Sequence, residues 1–159
     1  MPEIYVMGKG NLIQLGNSDT VELAVQSMNN ILDELRDTTD NFKNLHNIGP
    51  GANAKKGAAV YSKAPPLASI NAQALIELLS HPWFTRLWVI QEAFKAPVNT
   101  CYYGQARFPL EDVLRICVWI GYNRGFCPRE LIGCFGAKQG PRLWVFLDRQ
   151  YGTNRDSGF

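Results

Sequence analysis

A strand-like run, a long amphipathic run and a second strand-like run follow one another in this chain. That order constrains the fold more than any other feature. The segment NLIQLG, Asn11 to Gly16, reads as a short strand closed by a glycine. After it, apolar residues fall at Val21, Ala24, Val25, Met28, Ile31, Leu32 and Leu35. Steps of three and four predict a helix with one apolar face. Asp19-Thr20-Val21-Glu22 supplies a D-x-x-E start, and the pattern stops around Asp37-Thr38-Thr39-Asp40. Val98 to Tyr103, VNTCYY, has β-formers and a closing Gly104. Strands joined through a helix favour parallel pairing, because the crossover returns the chain to the end where it started. The expected fold class is α/β with a parallel sheet and flanking helices.

Residues 38–66 are rich in Gly, Ala, Pro and Lys with no sustained period, and read as a loop or mobile insertion. Gly49-Pro-Gly51-Ala-Asn-Ala54 matches G-x-G-x-x-A in letters only, since no strand precedes it and no helix follows. Helical text resumes from Ser69 to Leu79, with Ala72, Leu75, Ile76 and Leu79 on one face. Ser80 and Pro82 suit the N-cap and first turn of another helix, ending near Ala96-Pro97. A further helix is expected from Pro109, with Leu110, Val113, Leu114 and Cys117 on one face. Leu143 to Leu147, LWVFL, allows a third strand, and Gln150 to Phe159 reads as a frayed end.

Composition removes several function classes. Of the 159 residues, 46% are hydrophobic and 19% charged, which suits one globular domain or part of a larger one. Residues 49–159 hold thirteen basic and seven acidic side chains, a balance of +6, but the arginines stand singly and form no run. They read as solvated surface, and no nucleic-acid partner is expected. No apolar stretch approaches a bilayer span, and MPEIYVMGKG lacks the pattern of a signal peptide. A cytoplasmic location with no membrane partner is expected. Cys101, Cys117, Cys127 and Cys134 contain no C-x-x-C pair, and His46 and His81 are the only histidines. Reduced thiols and no metal site follow.

The stretch HPWFTRLWVIQEAF, His81 to Phe94, is apolar enough to be core, yet carries Arg86 and Glu92. On a continuous helix Phe84, Leu87, Trp88 and Gln91 would share a face, with Trp83 and Ile90 beside it and Glu92 at its margin. Two readings stand. Glu92 pairs with Lys95 at the surface, or it faces a ligand in a cleft.

Pro82-Trp83-Phe84-Thr85-Arg86-Leu87-Trp88-Val89-Ile90-Gln91-Glu92, preceded by Leu78-Leu79, resembles the P-W-F-x-R-x-W-x-x-Q-E block of the fungal heterokaryon incompatibility (HET) domain. Met1-Pro-Glu-Ile4-Tyr5 and Leu12-Ile13-Gln14-Leu15-Gly16 resemble its M-x-x-I-Y and W-L-G blocks, with Gln14 where tryptophan is usual. Tyr103-Gly104 and Phe108 to Leu114 resemble the turn and helix that follow. The resemblance covers residues 1–120, with 121–159 an unassigned tail. The family's earlier blocks would precede Met1. The chain therefore reads as the later portion of a HET domain, its first strands missing, from a truncated gene model or a decayed paralogue.

The resemblance implies a partial flavodoxin-like sheet, since HET domains are similar to Toll/interleukin-1 receptor (TIR) domains. It implies a role in non-self recognition, innate immunity and programmed cell death. Some TIR domains cleave NAD, using a glutamate four residues after a tryptophan. Trp88 and Glu92 have that spacing. The resemblance thus makes Glu92 the candidate catalytic residue of the complete domain. Trp83, Arg86, Trp88 and Gln91 become candidate ligand-facing or motif residues, with NAD as substrate and no bound cofactor. The alternatives are a non-catalytic TIR-like module that associates with proteins, itself included, and a nonfunctional remnant. Trp83 and Phe84, if exposed, would suit the interface of such a module.

Overall fold

The structure, a computed structural model, describes residues 10–38, 67–86, 93 and 96–134. Its described elements, in chain order, are β1 (Asn11–Gln14), α1 (Val21–Thr38), α2 (Ala72–Leu79), β2 (Asn99–Tyr103), β3 (Ala106–Pro109), α3 (Leu110–Tyr122) and α4 (Arg129–Gly133). Short 3-10 turns occupy Leu67–Ser69 and Pro82–Thr85. Of the expected loop at 38–66, Thr38 closes α1 and the rest lies outside the described residues, as does the expected strand at 143–147.

The sheet has the order β1-β2-β3. β1 and β2 are parallel, with Asn11 opposite Asn99 and Ile13 opposite Cys101, as the helical crossover requires. β3 turns back antiparallel to β2 through Gly104-Gln105, so the sheet is mixed rather than wholly parallel. Sequence reading missed β3 because Ala-Arg-Phe-Pro is short and ends in proline. Proline is tolerated there because it closes the strand and opens α3.

Alternation assigns the two faces of the sheet. Ile13, Leu15, Cys101, Tyr103 and Phe108 are buried, while Leu12, Gln14 and Arg107 between them are exposed. α1 and α3 pack on β3, α3 also on β2, and α2 and α4 pack on these helices. The apolar stripe on α1 lies in this core as its spacing predicts, with Val25 at the margin. Ser27 is buried among it. Its hydroxyl donates to the Leu23 carbonyl at 2.7 Å and accepts the Asn71 N–H at 2.8 Å. Asn30 donates to the Ser69 carbonyl at 2.7 Å. Two polar side chains of α1 thus fix where α2 begins, and Asn71 caps α2 by accepting the Ala74 N–H.

α3 is buried from Val113 through Ile120, so it is the central helix rather than an amphipathic surface one. It nevertheless carries Arg115, only 6% exposed. Asp112 at 2.9 Å and Glu111 at 3.4 Å, one turn earlier, supply its counter-charge. Leu131 and Cys134, in the stretch expected as an unassigned tail, are part of the same core.

β1 is an edge strand, and no described strand pairs with its outer side. Asn11 and Leu15 direct their N–H groups to β2, so Leu12 and Gln14 direct theirs away from it. Leu12 is 72% exposed, and the four residues carry no charge, proline or bulge to deter another strand. Self-association through β1 is therefore expected to grow with concentration. Leu12→Lys places a gatekeeper there and is expected to shift the chain toward monomer in gel filtration with light scattering. An unchanged elution profile would count against this edge.

Candidate functional site

Parallel α/β sheets bind ligands beyond the carboxyl ends of their strands, where loops and helix N-termini gather. Here that place is built by the chain after β1, the turn after β2, the start of α1 and the end of α2. Gly16 and Gly104 both have positive φ, 75° and 57°, and the Gly104 N–H donates to the Gly16 carbonyl at 2.8 Å. Glycine is required at 104 on two grounds. A Cβ would sit in the strained region, 2.7 Å from Asn17 Oδ1 and 3.1 Å from Val21 Cγ2. Gly104→Ala should cost about 1–3 kcal/mol. Thermal unfolding should show a Tm lower by several degrees, with secondary structure retained.

Ser18 and Thr20 lead into α1. The Thr20 N–H donates to Ser18 Oγ at 3.2 Å, so the serine, rather than the expected Asp19, organises the entry. Thr20 Oγ1 donates to Glu77 Oε2 at 2.5 Å, and Ser18 Oγ donates to the same oxygen at 2.9 Å. The Thr20 bond, then the Ser18 bond, hold the Glu77 carboxyl below its usual range. This carboxylate also lies at the positive end of α1. Neither hydroxyl nor Glu77 stood out in the sequence, because they are 57 and 59 residues apart and match no motif.

His81 lies at the same end of the sheet, against Gly16. Its Nε2 is 3.8 Å from where a Cβ on Gly16 would stand. Its Nδ1 accepts the Trp83 N–H at 3.1 Å and so caps the Pro82–Thr85 turn. The sequence points to Ser80 as this cap, but Ser80 ends α2, where its N–H donates to the carbonyls of Ile76 and Leu78. The expected helix does not start at Pro82 either. The turn is 3-10 and ends at Arg86, whose φ of −82° and ψ of 122° are extended. An extended residue at Arg86 interrupts the continuous helix expected from Pro82.

Of the expected site residues, Trp83 and Arg86 are described. Trp83 is 8% exposed and meets Phe84 edge to face at 5.1 Å, so both belong to the core and neither offers an exposed interface. Arg86 is exposed. Trp88, Gln91 and Glu92 lie outside the described residues. Ala93 is described and buried, and its carbonyl accepts a bond from Asn99 Nδ2 at 2.9 Å. Asn99 opens β2, so Ala93 stands at the amino end of the parallel pair, opposite the end where His81 meets Gly16.

Other chemistries find little support among the described residues. No three His, Cys, Asp or Glu side chains gather as a metal site. All four cysteines are free, and burial pushes the Cys101 thiol up to about 12 and the Cys127 thiol up to about 11. Burial raises the Cys117 thiol as well. Thiols held so far above neutrality supply no thiolate nucleophile. No described helix is long and apolar enough to cross a membrane. An open groove of about 350 Å³ runs between Val21, Val25, Gln26 and Asn29 of α1 and Gln105-Ala106. It contains none of the expected site residues.

The family model for heterokaryon incompatibility protein (HET) matches residues 1–92. The chain belongs to this family. The matched stretch holds β1, α1, α2, the Pro82–Thr85 turn and every site residue expected from the sequence, and it ends on Glu92. No curated protein and no solved structure matches the chain. Membership in HET ties the chain to heterokaryon incompatibility. The described part is a mixed α/β fold with an open three-stranded sheet and flanking helices.

Proposed function

We propose that this HET chain belongs to a cytoplasmic cell-death effector of fungal non-self recognition, TIR-like in fold, in whose complete form Glu92 supports cleavage of NAD. The observation that carries the reading is the tryptophan-to-glutamate spacing of Trp88 and Glu92 inside the matched stretch. The chemistry explains a carboxylate in apolar text. As the bond between ribose and nicotinamide breaks, the ribose carbon gains oxocarbenium character, and a nearby anion stabilises it. Nicotinamide leaves and water adds to the ribose carbon. The parallel β1–β2 pair supports a doubly wound frame, of which the sheet described here is one part.

A second reading, a non-catalytic module that associates with proteins, is favoured by one observation. Among the described strands β1 is an open edge with Leu12 exposed, a surface on which another chain can pair. The test is expression in a fungal host with NAD content and viability followed in wild type and Glu92→Gln. It is run on this chain and on the chain joined to the earlier blocks of a HET domain. NAD loss that requires Glu92 supports the first reading. Toxicity without NAD loss supports the second.

A further inference from the structure

We propose that His81 is a proton-operated latch on the Pro82–Thr85 turn, the turn that opens the most distinctive block of the matched family stretch. Three observations carry it. The Trp83 N–H is a free donor of a turn's first residues, and its acceptor is His81 Nδ1 at 3.1 Å. An imidazole accepts at Nδ1 only when that nitrogen is bare, so the bond exists in the neutral Nε2–H tautomer and vanishes in imidazolium. Trp83 and Phe84 are buried by this turn, so opening it draws two aromatic rings out of the core.

The surroundings fix the direction. Burial lowers the His81 pKa from its ordinary value of 6.5, which keeps the ring neutral at neutral pH. Among the charged groups of the packed elements, Glu77 on α2 is engaged by Ser18 and Thr20, and Asp19 and Arg86 are exposed. On the α4 side, Cys134 meets Ser80 and the Glu130 carbonyl. The folded chain therefore binds fewer protons at His81 than the unfolded chain. The latch is fully closed above the ordinary histidine value and opens as pH falls through the lowered one.

Arg86 gives a direct readout, because it is exposed and ends the turn. Arg124, exposed in the Asn123–Phe126 turn, serves as internal reference for trypsin's own pH dependence. Cleavage after Arg86 relative to Arg124, followed by mass spectrometry, should rise roughly fivefold or more between about pH 7.5 and about pH 5.5. His81→Asn keeps a side-chain acceptor that does not titrate, so its ratio should stay low and flat. His46→Gln, which alters the other histidine, should respond as wild type does. A flat ratio in the wild type overturns the proposal, as does an unchanged pH response in His81→Asn or a lost one in His46→Gln. If His81→Asn does not fold, the wild-type titration and the His46→Gln control still decide it.

Discussion

Replacing Trp119 by alanine is expected to abolish cooperative unfolding of the chain. Among the described residues Trp119 is the largest fully buried side chain, 1% exposed, on a helix buried from Val113 through Ile120. Truncating a buried tryptophan costs about 3–5 kcal/mol, the lost transfer of the ring plus the cavity left behind. Domain stability is about 5–15 kcal/mol in total, so the loss takes much or all of it. The substitution isolates the side chain. The Trp119 carbonyl accepts from the Asn123 side chain at 2.8 Å and from the Asn123 N–H at 3.0 Å, and both bonds survive in alanine. Circular dichroism during heating, at low protein concentration, should show a broad, shallow transition. Trp119→Phe keeps most of the apolar volume and should unfold cooperatively at a lower temperature. A sharp transition in Trp119→Ala within a few degrees of wild type would mean that α3 is not the centre of the core.

Legibility followed the strength of periodic signals. α1 could be read because seven apolar residues keep step over four turns, and no competing pattern interrupts them. β1 and β2 could be read as parallel because a helix stands between them. β3 was hidden by its length and by Pro109, which sequence reading assigned to the helix alone. At the Pro82–Thr85 turn, local text was ambiguous. Ser80 and Pro82 suit a helix start, but His81, between them, supplies the acceptor and leaves Ser80 to α2. The polar cluster of Ser18, Thr20 and Glu77 had no signal at all. It is assembled by the packing of α1 on α2, and only the three-dimensional path brings its members together. For Trp83 the sequence left exposure open, and the fold answers it: the ring is buried edge to face with Phe84 and offers no exposed interface.

On the NAD-cleaving reading proposed above, Glu92→Gln is expected to remove that cleavage and the toxicity that depends on it while leaving folding nearly intact. The change keeps the size and hydrogen-bonding reach of the side chain and removes its charge. A carboxylate that stabilises developing positive charge on the ribose supplies about 3–4 kcal/mol, so turnover should fall by about two to three orders of magnitude. Lys95→Ala is the informative control. It removes a cation three residues along and spares the carboxylate. If Glu92 serves only a surface pair with Lys95, both substitutions should cost under about 0.5 kcal/mol of stability and leave toxicity unchanged. If Glu92 is catalytic, Glu92→Gln abolishes NAD loss and Lys95→Ala does not. Toxicity that persists in Glu92→Gln, with NAD untouched, would make the protein-association reading the better account of this HET chain.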